Sequence, residues 1–311
     1  MKAVRIHEYG DASVLRFEEA PRPVCEADDV LIRVVGSSVN PVDWKIRRGY
    51  LKEMIPYALP MIPGWDVSGV VEEIGAKVSR FRVGDAVYSR PDITRHGTYA
   101  EWIAVRESEV AFKPRTVSHI AAAVLPLAGI TAWEGLVNVG KVSPGQRVLV
   151  HAAAGGVGSL AVQIAKAHGA HVIGTASGAN RALVESLGAD EFVDYRTTPL
   201  GDAVRDVDLV LDTMGGGTQE ASWAVMAPGG LLVSMVSDPA EAVTAWPQLR
   251  AAFIFIGPDV PVLERLAALV DEGRVRPVIG AEFALRDIRK AHELSETGHV
   301  RGKIALHVGT P

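Results

Sequence analysis

The segment "LVHAAAGGVGSLAVQIAKAHGAHVIGTAS", Leu149–Ser177, constrains this chain more than any other. A run of branched apolar residues stops at a knot of alanine and glycine. It resumes as an amphipathic pattern and ends in a second apolar run. That order predicts strand, turn, helix and strand, one βαβ unit of a parallel sheet. Read as Ala152-x-x-Gly155-x-x-Gly158, the knot is a dinucleotide fingerprint with alanine at the first glycine position. Glycines there let the backbone approach a pyrophosphate, and the helix N-terminus offers free N–H groups and a partial positive charge. Gly155, Gly156, Val157 and Gly158 are therefore expected at the pyrophosphate.

The end of the second strand bears on which dinucleotide fits. An NAD site carries Asp or Glu about 20 residues after the glycines, to hold the ribose 2′-hydroxyl. Here that place reads "TASGANR", with Ser177 where the acid would stand and Arg181 shortly after. An arginine beside a missing acid suits a 2′-phosphate. NADPH is the expected cofactor, with Ser177, Arg181 and Tyr195 (in "VDYR") at the adenosine phosphate.

Alternation continues through "NRALVESLG", "EFVDY", "VDLVLDTM" and "GGLLVSMVS", the mark of a parallel sheet covered on both faces. The first third differs. "KAVRIHEYG", "DVLIRVVGSSVN", "VSGVVEEIG", "VGDAVYSR" and "GTYAEWIAV" are short strand signals bounded by Gly, Pro or Asp, which suggests a barrel-like all-β unit. The tail, with "PVLERLAALVDEG", "RPVIGAEFAL", "IRKAHELSETG" and "GKIALHV", is mixed and is expected to return to that unit.

Bulk properties exclude several classes. A net charge of -5 without a basic run gives no electrostatic footprint for nucleic acid. One cysteine, Cys25 in a proline-rich turn, rules out an internal disulfide and a thiolate-rich zinc cage. The N-terminus has no signal-peptide core, and the longest uncharged stretch, "IAAAVLPLAGITAW", reads as too short to span a bilayer. A soluble, cytoplasmic protein is expected.

"NPVDWKIRRG", "PGWDVSGVVEEIG", "VGDAVY", "GTYAEW", "LPLAGITAWEGL", "HAAAGGVGSLAVQIAK" and "GKIAL" together resemble the medium-chain dehydrogenase/reductase superfamily. The likeness is to its zinc-free quinone oxidoreductase-like and alkenal/alkenone reductase branch, and it runs nearly the whole length in order. It implies an α/β protein: a GroES-like β-barrel catalytic domain over 1–122, a Rossmann doubly wound parallel-sheet cofactor domain over 123–257, and a C-terminal return over 258–311. The active site would lie in the cleft between the domains. Zinc-binding members place a cysteine and a histidine where this chain has Asn40 and Trp65. Only Asp66 keeps an acid, and one carboxylate cannot hold zinc. The four-cysteine structural lobe is also missing, and His168 and His171 fall at a helix-to-strand turn. No tyrosine is followed four residues later by lysine and no G-x-S-x-G elbow occurs, which removes short-chain dehydrogenase and serine hydrolase chemistry.

Hydride transfer without a metal needs an acceptor whose product anion is weakly basic, such as a quinone or the C=C bond of an α,β-unsaturated carbonyl. A few hydrogen-bond donors near the oxygen then suffice. By resemblance Asn40 faces the nicotinamide, and Thr131 stands near it or caps and packs a helix. Lys45, where many relatives have tyrosine, either stabilises an enolate oxygen or sits in solvent. Tyr50 either donates to the substrate oxygen or walls the pocket, and Asp43 is read as a salt-bridge partner holding the loop. Val236 and Phe255, after later strands, are expected to line the nicotinamide. An enoyl-thioester reductase and a non-catalytic NADPH-binding redox sensor are the alternatives. "AAFIFIGPD" is apolar enough to be an edge through which two copies pair as a homodimer.

Overall fold

The first unit of the fold is organised around one long strand. β1 (Lys2–Arg5) and β2 (Arg16–Glu19) form an antiparallel pair, and β3 (Asp29–Val39) follows with eleven residues. β3 is long enough to serve several partners. Its first half pairs β6 (Trp102–Arg106), while β4 (Val67–Ile74) runs along most of its other side. β5 (Ala86–Ser89) and β7 (Val110–Phe112) extend the sheet. Gly69 makes the close approach of β4 possible, because a Cβ there would lie 2.1 Å from the Arg33 carbonyl oxygen. Inside the curved sheet pack Val30, Ile32, Val34, Val67, Val71, Val87, Ile103 and Val105, the alternate residues of neighbouring strands. The helix α1 (Pro41–Arg47) starts directly after β3, with proline at its first position, where the missing N–H costs nothing.

The computed structural model describes residues 1–310. Met1–Leu127, Gly257–Gly273 and the chain from Pro277 onward make up the first unit; Ala128–Ile256 with Arg274–Arg276 make up the second. The apolar run between them is helical in pieces: α2 (His119–Ala122), α3 (Pro126–Trp133) and a π-helical continuation over Glu134–Val139. Because the helix continues past Trp133, His119–Val139 is long and apolar enough to cross a membrane by length and composition, contrary to the shorter run the sequence suggests. Most of it is buried inside the protein, as a core helix would be.

The second unit carries a six-stranded parallel sheet. Its strands are β8 (Arg147–Val150), β9 (His171–Ala176), β10 (Glu191–Asp194), β11 (Val207–Asp212), β12 (Met226–Ser234) and β13 (Arg250–Phe253), in the order β10-β9-β8-β11-β12-β13. The connecting helices are α4 (Gly156–Ala167), α5 (Arg181–Ser186), α6 (Leu200–Ala203) and α7 (Gly216–Trp223). From β8 the chain winds outward to β10, and from β11 it winds the other way to β13. The strand order therefore reverses between β8 and β11, the place where open α/β sheets bind ligands. Leu149, Ile173, Val210 and Leu232, one from each central strand, meet in the core. Gln163 of α4 donates to the Arg276 carbonyl at 3.0 Å and accepts its N–H at 2.9 Å, which fastens Arg274–Arg276 to this unit.

The tail then completes the first unit. After α8 (Val260–Asp271), β14 (Ile279–Ala284) pairs in parallel with β15 (Lys303–His307), with α9 (Ile288–Glu296) as the crossover. β15 pairs with the second half of β3, Ile304 opposite Val39.

Candidate active site

Asn40, the last residue before α1, is buried and held from three sides. Its Nδ2 donates to Asp66 Oδ2 at 2.8 Å, its Oδ1 accepts from the Lys303 ammonium, and its N–H donates to Asp43 Oδ2 at 2.6 Å. Charge fixes the amide's orientation, since an NH2 cannot face an ammonium nor a carbonyl oxygen a carboxylate. Asp66 also accepts from the Ser38 hydroxyl at 2.5 Å, the Leu127 N–H at 2.7 Å and Lys303 Nζ at 3.2 Å. Three of these bonds fall on Oδ2 and one on Oδ1, and a buried lysine balances the charge. Trp65, beside it in sequence, is fully buried. Among the described residues, no group of three or more His, Cys, Asp or Glu side chains is placed to hold a metal ion.

A second polar chain meets this cluster at Asp43. Tyr99 donates its hydroxyl to Asp43 Oδ2 at 2.8 Å, and His292 Nε2 lies 3.3 Å from the same hydroxyl oxygen. Arg47 Nη1 donates to His292 Nδ1 at 3.2 Å, and the guanidinium also pairs with Glu296. Because arginine has only donors, His292 is the Nε2–H tautomer and donates to Tyr99. Burial, with help from Arg47, pushes the His292 imidazole down to about 3, so it is neutral at physiological pH. Burial raises the Asp43 carboxyl to about 7. Asp43 makes no ion pair among the described residues, which corrects the salt-bridge reading. Arg47 is committed to Glu296 and Lys303 to Asp66, and Asp43 instead anchors the start of α1 through neutral donors.

The other residues singled out in the first unit lie apart from this cluster. Lys45, half-buried at the far end of α1, has its ammonium 5.8 Å from the Trp44 ring centroid. Tyr50 is 66% exposed and meets Trp44 edge to face at 6.2 Å. Lys45 and Tyr50 thus share one aromatic patch around Trp44. Thr131 is buried within α3, in the second unit.

In the second unit the glycine knot follows β8 and opens α4. Ala152 takes φ +47°, the left-handed region where glycine is usual. Gly158 is required, since a Cβ there would lie 2.2 Å from the Ala152 carbonyl oxygen. Gly155 caps α4 with no side chain, and its carbonyl accepts the Ser159 N–H at 2.9 Å. The N–H groups of Gly156, Val157 and Gly158 precede the first intrahelical donor and are directed off the helix end. Bare backbone with converging N–H groups at the switch point fits a pyrophosphate.

Around that knot, Ser177 follows β9 directly and accepts from Asn180 Nδ2 at 3.1 Å. Arg181 opens α5, with its guanidinium 4.4 Å above the Phe192 ring and an ion pair to Glu185 at 3.2 Å. Tyr195, just past β10, is exposed, and the Arg196 guanidinium lies 5.9 Å from its ring. On the opposite wing, Met214, Val236 and Phe255 each stand two residues beyond the ends of β11, β12 and β13, and all three are exposed. Strand register aligns those ends, Asp212 with Ser234 and Ser234 with Phe253. They form an apolar lip at the carboxyl edge of the sheet.

Two buried residues that shape this edge escape sequence reasoning. Asp212 Oδ1 accepts the N–H groups of Met214 and Gly215, both at 2.9 Å, while its Oδ2 accepts from Gln219 and Ser234, also at 2.9 Å. The turn after β11 is thereby locked to β12. His151, at the end of β8, meets Thr175 Oγ1 at 3.0 Å and Ser222 Oγ at 2.8 Å. Ser222 spends its proton on the Thr218 carbonyl, so His151 donates from Nε2 and accepts at Nδ1. Desolvation depresses this imidazole to about 4. The positional signal for both is present, since Asp212 ends β11 and His151 directly follows β8 at the carboxyl edge.

Residues 26–115 match the alcohol dehydrogenase GroES-like domain family and residues 187–306 the zinc-binding dehydrogenase family. The chain is 38% identical to 2-methylene-furan-3-one reductase of Solanum lycopersicum, over 99% of this chain and 79% of that protein. It is 37% identical to the chloroplastic NADPH-dependent alkenal/one oxidoreductase of Arabidopsis thaliana, with the same coverage. Among solved structures, the quinone oxidoreductase from Coxiella burnetii superposes with a TM-score of 0.93 at 35% identity, covering 99% of each chain.

Proposed function

The chain belongs to the quinone-oxidoreductase-like branch of the medium-chain dehydrogenase/reductase superfamily, and from that we propose that it reduces quinones or the C=C bond of α,β-unsaturated carbonyls with NADPH, without zinc. The observation that carries this reading is the glycine knot at the switch point of the parallel sheet, where a Cβ on Gly158 would lie 2.2 Å from the Ala152 carbonyl oxygen. Gly155–Gly158 would hold the pyrophosphate, Ser177, Arg181 and Tyr195 the adenosine end, and Val236 and Phe255 the apolar face of the nicotinamide. When bound, NADPH supplies the hydride. Related proteins named for alkenal, furanone and quinone reduction support the acceptor class.

Zinc does not fit the residues present. Asp66 is a single carboxylate already bonded to Ser38, Asn40, Leu127 and Lys303, Asn40 faces an ammonium, and Trp65 offers no metal-binding atom. No step is therefore assigned to a Lewis acid. The Asn40–Asp66–Lys303 cluster instead fixes the start of α1. That helix carries Lys45 and leads to Tyr50, which offer a charge and a hydroxyl to an acceptor oxygen. Exposed Tyr50 and Met54, with Trp44, suit a planar apolar acceptor.

The test is NADPH consumption by purified protein in EDTA, with a planar quinone and a medium-chain 2-alkenal in parallel. Turnover insensitive to EDTA is expected; activity that EDTA abolishes and zinc restores would overturn the metal-free mechanism. Pairing of two copies along β13 belongs to the same reading. β13 is an edge of the sheet, and Phe253 on it is exposed. Sedimentation should give a dimer, and a clean monomer at micromolar concentration would refute it.

A further inference from the structure

β9 ends without an acid, and the neighbouring strand β10 ends with one. β10 pairs with β9 so that Asp194 lies beside Ala176, the last residue of β9. From there the Asp194 carboxylate reaches across the turn that follows β9. A Cβ on Gly178 would lie 2.4 Å from Asp194 Oδ2, so the carboxylate rests flush on bare backbone two residues past the strand. Its Oδ1 accepts the Arg196 N–H at 3.0 Å, while Oδ2 has no hydrogen-bond partner among the described residues. Of the two arginines nearby, Arg181, assigned above to the adenosine end, stacks on Phe192 and pairs with Glu185, and the Arg196 guanidinium lies 5.9 Å from the Tyr195 ring. An acceptor with spare capacity thus stands beside the turn after β9, next to the place where NAD-binding folds carry their ribose-binding acid.

We propose that Asp194 sets nucleotide selectivity, its Oδ2 accepting the adenosine ribose 2′-hydroxyl of NADH so that the chain uses NADH beside NADPH. This rests on the dinucleotide reading of the same edge. A carboxylate accepts a hydroxyl and repels a 2′-phosphate, so one residue moves the two affinities in opposite senses. Gly178 is part of the device, because any side chain there would displace the carboxylate.

The test is titration of NADPH and NADH against wild type, Asp194→Asn and Asp194→Ser, followed by nucleotide fluorescence. Both variants keep an oxygen to accept the Arg196 N–H, and circular dichroism checks their folding. Wild type should bind both nucleotides. Each variant should lose roughly tenfold in NADH affinity and gain or hold NADPH affinity. An NADPH-to-NADH affinity ratio unchanged in both folded variants would overturn the assignment and leave the dinucleotide site standing. Wild type that binds neither nucleotide would overturn the site and the assignment together.

Discussion

The hydroxyl of Tyr99 donates to Asp43 Oδ2 at 2.8 Å, and this bond joins the start of α1 to a buried polar chain that ends at Glu296. Around Asp43 stand the Asn40 N–H, the Tyr99 phenol, the Lys303 ammonium and the Asp66 carboxylate. Folding raises the Asp43 carboxyl from 3.8 to about 7, chiefly by desolvation. The folded protein therefore holds this proton more tightly than the unfolded chain. The resulting stability is complete below the unfolded value and is lost as pH rises through the folded one. Between pH 5 and pH 8, wild type should lose about 2 kcal/mol more than Asp43→Asn in urea unfolding. Equal pH dependence in the two proteins would show that Asp43 is ionised throughout.

His151 has the opposite sign. Its folded value lies at about 4, below the ordinary 6.5 of histidine, because burial disfavours the cation. Its contribution is present above the unfolded value and is lost as pH falls through the folded one. His151→Gln keeps a donor and an acceptor for Ser222 and Thr175 but cannot gain the charge. Relative to their own stability at neutral pH, the variant should retain about 2 kcal/mol more than wild type at pH 4.5. His151→Ala, by contrast, should cost about 2–4 kcal/mol at neutral pH by taking the acceptor from the Thr175 hydroxyl and leaving a cavity.

Lys303 and Asp66 form a buried pair at 3.2 Å. Lys303→Met strands a carboxylate in the core and should cost about 3–5 kcal/mol. Asp66→Asn in the same chain removes that charge, so the double variant should be more stable than Lys303→Met alone. A double-mutant cycle in urea gives the coupling; additive costs would mean that the two residues act independently.

Gly158→Ala places a methyl 2.2 Å from the Ala152 carbonyl oxygen. The start of α4 must shift, and NADPH affinity should fall roughly tenfold or more. Gly201→Ala, where nothing lies within 4 Å of the added carbon, is the matched control and should bind as wild type does. Equal NADPH binding by the two variants would remove the knot from the cofactor site.

The βαβ unit from Arg147 to Ala176 was legible because its signals are local: an apolar run, a glycine knot and a helical period follow one another without interruption. The strands of the first third were legible for the same reason. The networks were not, because their members are far apart in sequence. Lys303 belongs to a quoted motif, yet nothing local says that its ammonium meets Asn40 and Asp66. Arg47 reads like its exposed neighbour Arg48 until His292 and Glu296 are packed against it. Asp43 was singled out but given a charged partner, since proximity in sequence cannot show that the available cations are already taken. In sequence Arg181 suits a phosphate, and only the fold reveals Phe192 and Glu185 beside it.

The insertion of β15 between β14 and β3 has a consequence for the order in which this chain acquires its shape. The second unit is almost continuous in sequence and can close once β13 has been synthesised. The first unit cannot. One edge of β3, Gly36–Val39, stays unpaired until β15 arrives, after the entire second unit has been made. A nascent chain therefore carries an open sheet edge in its first-made unit while an inner, later-made unit can already be folded, the reverse of the usual N-terminal-first sequence. Chaperone dependence during synthesis should accordingly concentrate on the open edge at residues 36–39 and end with the release of the last strand.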